Sequence, residues 1–169
     1  MKRIAVFGKP GSGKSTLSQR LSHKTGIPLH ALDQIAYRAD GTPVDRQTYD
    51  AAHEAILASP CWIIDGLGPI GSFYTRLEAA DTLIYIDLPY PVSYWLVTKR
   101  LIKGSFVRPA GWPAGSDLLK GTLQSYKMLR LSPSFWNSAF EARLDALSKA
   151  RQLVVIRSAS ELRQMAAVD

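Results

Sequence analysis

The 169-residue chain carries 21 Lys and Arg against 14 Asp and Glu, a formal net charge of +7, with 46% hydrophobic residues and a mean hydropathy of −0.05. That balance excludes a disordered chain, which lacks so much apolar surface, and points to anionic partners within a single domain spanning 1–169. One cysteine, Cys61, excludes an internal disulfide. With no leader ahead of the first apolar run and no apolar stretch of about 20 residues, the expected location is the cytoplasm, with no membrane partner.

In chain order, the apolar residues of 3–7 predict a strand buried on both faces of a parallel sheet. Gly8 to Ser15 then match G-x-x-x-x-G-K-[ST] without a mismatch. Gly8, Gly11 and Gly13 let a backbone turn tightly around an anion, and a helix over 14–24 adds the positive end of its dipole. Lys14 can reach β- and γ-phosphates, and the Ser15 hydroxyl can ligate Mg²⁺. Gly8, Pro10, Gly11, Ser12, Gly13, Lys14, Ser15 and Thr16 are therefore the expected nucleotide-binding set, and the ligands implied are ATP and Mg²⁺.

Leu17 and Leu21 mark the inner face of that helix, and Gly26 with Pro28 ends it. A short strand over 29–32 leads to Asp33 and Gln34, with His30 as an ordinary, partly exposed histidine. Asp33, at a strand's carboxyl end facing the phosphate loop, is placed to act as a general base or acceptor ligand. A helix follows over 45–58.

The apolar run 61–64, in which Cys61 is a small core residue, ends in Asp65 and Gly66. An acid there can hold a Mg²⁺-bound water beside the loop. The strand over 82–88 also carries an acid, Asp87, but Pro89 and Pro91 follow at once. Asp87 is therefore read as a turn or capping residue, and Asp65 as the metal-side acid. The helix over 91–103 is expected to turn Trp95 and Leu96 inward. Residues 104–117 break all periodicity and hold three glycines, Trp112 and one cation, Arg108, which suits a lid inserted in the domain. Helical patterns over 118–131 and 135–150 are separated at Pro133, and a last strand over 152–156 precedes a short helix. The alternation gives at least five strands in a parallel sheet covered on both faces.

This order of motifs resembles the adenylate-kinase-like P-loop kinases: phosphate loop, Asp33 after strand 2, Trp62-Ile63-Ile64-Asp65-Gly66, Arg76 before an Ala-Asp strand, and Ile86-Asp87-Leu88-Pro89. Within them it is most similar to the topology modulation proteins. The resemblance implies a three-layer α/β/α P-loop fold, a five-stranded parallel sheet in the order 2-3-1-4-5 and a mobile lid over about 104–117. It implies that Arg76 holds the acceptor or the transferring phosphoryl group, and that Asp33, Asp65, Gly66 and Arg76 form the acceptor side. It also implies that Arg108 is the lid arginine and that Arg157 to Ala159 lie beside the adenine. Ala31 stands where shikimate kinases carry a first aspartate, and no arginine follows Pro69 as in adenylate kinases, which argues against either acceptor.

The expected activity is Mg²⁺·ATP-dependent phosphoryl transfer to a small anionic acceptor, with Lys14, Asp33 and Arg108 catalytic, and Ser15 and Asp65 on the metal. A second class is a nucleotide-dependent regulatory or DNA-binding protein using Lys99, Arg100, Lys103, Lys120, Lys127 and Arg130, though no motif supports nucleic acid. A third is an ATPase switch without an acceptor.

Overall fold

The computed structural model describes residues 1–38, 40–104 and 118–167. Five strands form one all-parallel sheet: β1 (Arg3–Gly8), β2 (Leu29–Ala31), β3 (Trp62–Asp65), β4 (Thr82–Ile86) and β5 (Gln152–Ile156), ordered β2-β3-β1-β4-β5. The helices that connect and cover them are α1 (Lys14–Thr25), α2 (Leu32–Ala36), α3 (Arg46–Ala58), α4 (Ile70–Ala79), α5 (Tyr90–Gly104), α6 (Leu118–Phe135), α7 (Ser138–Ser148) and α8 (Ala159–Ala167). The expected order 2-3-1-4-5 is the one observed. It brings the carboxyl ends of β1, β3 and β4 side by side, where a parallel sheet gathers its functional loops.

Period-two alternation sends β1 into two cores. Ala5 and Phe7 face a cluster with Tyr49 and Ile56 of α3, Phe73 and Leu77 of α4, and Phe140 and Leu144 of α7. Ile4 and Val6 face the opposite cluster, with Leu17 and Leu21 of α1, Ile84, Ile86 and partly buried Leu162 of α8. Because both faces are covered, residues 4–7 are all fully buried, which is why they read as one unbroken apolar run.

Several elements differ from the sequence reading. The strand predicted over 29–32 stops at Ala31, and Leu32 opens the five-residue helix α2 with Asp33 in its first turn, where the helix dipole favours an acid. Trp95 does not turn inward: it is 61% exposed, and the buried face of α5 is carried by Ser93 and Val97, four residues apart. Pro133 does not split a helix, because it sits in the last turn of α6, and Ser132 accepts from the Trp136 amide beyond it. Cys61 precedes β3 and is half-buried. The proposed lid falls on residues of which 105–117, Arg108 included, lie outside the described set.

Candidate functional site

The phosphate-loop sequence folds as a tight turn between β1 and α1 because two positions accept no side chain. Gly8 has φ +146°, and a Cβ there would lie 2.2 Å from the Ile86 carbonyl oxygen of β4. Gly11 has φ +73°, and its Cβ would meet Val97 Cγ2 at 2.5 Å and the Ser93 oxygen at 2.7 Å. The loop thus rests directly on the small-residue face of α5. The Leu17 amide donates to Gly13 at 3.1 Å, so the amides of Lys14, Ser15 and Thr16 precede the first helical bond and suit an anion.

The Lys14 ammonium donates to the carbonyls of Gly8 at 3.0 Å and Lys9 at 2.8 Å. Burial lowers its pKa, Asp65 and Asp33 raise it again, and Arg100 lowers it. Lys14 therefore lies in a small field of two acids and one further cation. Asp65, at the end of β3, is 6% exposed. Burial raises its carboxyl pKa, while Lys14 and a hydrogen bond from the Ser15 side chain pull it down. Its Oδ1 has no hydrogen-bond partner among the described residues. A buried oxygen left over beside a hydroxyl fits a hard divalent cation, and Mg²⁺ commonly takes one or two carboxylates and completes its shell with water and substrate phosphates. Among the described residues no group of three or more His, Cys, Asp or Glu could hold a metal ion.

These groups open onto a cleft of about 1380 Å³. Every residue from Gly8 to Thr16 except Lys9 lines it, with Asp33 and Gln34 of α2, Asp65, and the loop from Gly66 to Pro69. Lys99 and Arg100 of α5 form one wall. Arg100 donates to Ser125 Oγ of α6 at 2.7 Å, and burial lowers its pKa while Asp33 raises it. Part of the basic face expected for nucleic acid thus turns into the cleft. Ile70, Met128 and Leu131 also line the cleft and remain 57%, 38% and 49% exposed, so the cleft offers apolar surface as well as charge.

Arg76 is not in the cleft, contrary to expectation. It is fully buried in α4, where Nη2 donates to the carbonyls of Gly66 at 2.8 Å and Leu67 at 3.0 Å. Nη1 lies 3.4 Å from His53 Nε2. Burial lowers the Arg76 pKa to about 10. It braces the glycine-bearing loop after Asp65 from behind, with Tyr49 and Ser72 bonded beside it at 3.2 Å. Gly66 itself lines the cleft. Arg157 and Ala159 are exposed at the end of β5, outside the cleft lining; the Arg157 amide donates to Glu161 Oε2 at 2.8 Å. The following Leu162 reaches the loop, 2.9 Å from where a Gly13 Cβ would stand.

Sequence reasoning missed a neighbour of the loop. Asp87 is not a cap: its Oδ1 is ion-paired with Lys9 Nζ, the residue after Gly8. It also missed Arg100 as a cleft residue. The signal was available in the i, i+4 spacing of Leu96 and Arg100, both of which line the cleft.

Neither a protein-family model nor a curated protein matches this chain. Among solved structures, a gluconokinase from Sinorhizobium meliloti 1021 aligns over 98% of this chain and 90% of its own, at 16% identity and a TM-score of 0.49. Among the described residues no helix is long and apolar enough to cross a membrane.

Proposed function

We propose that this chain is a Mg²⁺·ATP-dependent phosphotransferase that moves the γ-phosphoryl group to a small anionic acceptor. The observation that carries the reading is the juxtaposition of Lys14, held on the loop's own carbonyls, with a buried, incompletely satisfied Asp65 carboxyl beside Ser15. A plain structural turn has no use for a desolvated ammonium and a desolvated carboxylate at the mouth of a large cleft.

In this reading the loop from Gly8 to Thr16 cradles the triphosphate, and Lys14 turns from the carbonyls to the β- and γ-oxygens. Ser15 and Asp65 would hold Mg²⁺, which would supply further charge neutralisation at the phosphates. Transfer of a phosphoryl group needs placement and charge balance more than covalent help, and Lys14 with Arg100 and the two acids beside it supply both. Asp33, exposed in the cleft, takes the proton of the attacking hydroxyl. Lys99 and Arg100 receive the acceptor's anionic group, and the apolar wall of Ile70, Met128 and Leu131 packs its body. Arg157 and Ala159 flank the base at the loop's outer edge.

A panel of small hydroxylated acids and phosphates, each tested for thermal stabilisation with a Mg²⁺·ATP analogue and then for uptake of labelled γ-phosphate, tests this directly. At least one should give stabilisation that depends on the nucleotide, together with transfer. ATP hydrolysis at a rate no acceptor changes would leave a nucleotide switch instead.

A further inference from the structure

Lys9 is the one residue between Gly8 and Thr16 that does not line the cleft. Its side chain runs the other way and is only 5% exposed, an unusual place for an ammonium. There it pairs with Asp87, just past the end of β4, and lies 4.6 Å from the centre of the Tyr90 ring at the start of α5. Burial, and then the neighbouring Asp87 carboxylate, raise the pKa of the Tyr85 phenol. Tyr85 is itself stacked on Phe7 of β1 at 5.5 Å and on Trp136 at 5.3 Å. The Asp87 amide is tied across to Ile156 of β5 at 2.8 Å. Asp87 is therefore fixed by its own backbone beside a rigid aromatic stack.

The backbone of Lys9 does a second job. Its carbonyl accepts from Lys14 Nζ at 2.8 Å and from the Ser12 amide at 3.3 Å. One residue thus has its side chain anchored to β4 and α5, while its main chain closes the turn and receives the loop's ammonium. We propose that the Lys9–Asp87 pair is a positioning device that holds the phosphate loop in its anion-ready shape before nucleotide arrives and keeps the Lys9 charge out of the cleft. The proposal rests on the reading of this loop as the nucleotide cradle, but its first consequence concerns the nucleotide-free protein.

Two physical points give it content. A buried ammonium that loses its paired carboxylate must find water or another anion, and the route to either runs through the loop it belongs to. A cradle preset by such a tie binds its anion without spending binding energy on ordering the turn. Neither Lys9 nor Asp87 touches the nucleotide in this scheme, so both are positioning residues.

The test compares Lys9→Met, Asp87→Asn, the double variant and Lys9→Arg. Hydrogen exchange at the amides of residues 11–14 is followed without nucleotide, and Mg²⁺·ATP affinity is measured by calorimetry. Each of Lys9→Met and Asp87→Asn should speed loop exchange and weaken Mg²⁺·ATP binding, by up to on the order of 10²-fold for a misplaced cradle. The double variant should be no worse than either single change, because one tie is being cut, and Lys9→Arg should restore most of the affinity. Tighter nucleotide binding by Asp87→Asn would overturn the proposal, since it would mean that Lys9 is a phosphate ligand which Asp87 merely withholds. A lower melting temperature with unchanged loop exchange would also overturn it, leaving an ordinary stabilising pair. Loosened loops in the variants of a protein that binds no nucleotide would sustain the tie and sink the phosphotransferase reading instead.

Discussion

Acidification should weaken this fold through His53, and the size of the effect follows from where the ring sits. It is 3% exposed, stacked on Tyr49 at 5.9 Å, and 3.4 Å from Arg76 Nη1. Burial, and then the positive charge of Arg76, lower its pKa from 6.5 to about 4, with Asp50 opposing weakly. The folded value is the lower one, so the native state holds the neutral ring while the unfolded chain takes up a proton below about pH 6.5. This contribution is fully present above that pH and is lost as pH falls toward 4. The loss is about 2 kcal/mol by about pH 5 and about 3 kcal/mol by about pH 4. Asp65, whose pKa is raised by burial, works the other way and gains stability on acidification. The measurement is therefore a difference: urea unfolding near pH 7 and near pH 5 for the wild type and for His53→Gln, whose carbonyl can accept from Arg76 without titrating. The wild type should lose about 2 kcal/mol more than the variant across that interval. Equal losses would refute the neutral buried imidazole.

Three further outcomes are expected. Gly8→Ala should destabilise by roughly 2 kcal/mol or more in chemical unfolding, because its Cβ would press on the Ile86 carbonyl 2.2 Å away and neither strand can yield. Lys14→Ala should leave the melting temperature of the free protein within a few degrees while costing about 2 kcal/mol in ATP binding by calorimetry, the scale of a charge-assisted hydrogen bond. Asp33→Asn should bind ATP normally and transfer phosphate about 10²–10⁴-fold more slowly in a single-turnover assay, the usual contribution of a general base.

The parts of this molecule that were legible in the sequence are those fixed by local pattern. Residues 4–7 and 62–65 could be read as strands because burial on two faces demands unbroken apolar runs, and the phosphate loop could be read because its glycines have no substitutes. Helix α2 escaped notice because five residues hold no helical period. Pro133 misled because a proline near a helix end costs one bond rather than the helix. The roles of Arg76 and Lys9 were illegible for a different reason. Charged side chains are usually exposed, and these two are buried only because carbonyls at Gly66 and Leu67 and a carboxylate at Asp87 meet them in the folded chain. Lys9 and Asp87 are 78 positions apart, and no spacing rule connects them.

The central claim is that Lys14, Ser15 and Asp65 form a Mg²⁺·nucleotide site, and one calorimetric comparison addresses it most directly. ATP is titrated into the wild type and into Asp65→Asn, each with and without Mg²⁺, beside melting curves of the free proteins. The account predicts that Mg²⁺ tightens ATP binding to the wild type and that this gain disappears in Asp65→Asn. It also predicts that the variant melts no lower, since a neutral amide relieves the burial of an incompletely bonded carboxylate. A wild type that binds no ATP, or an undiminished Mg²⁺ effect in Asp65→Asn, would contradict it.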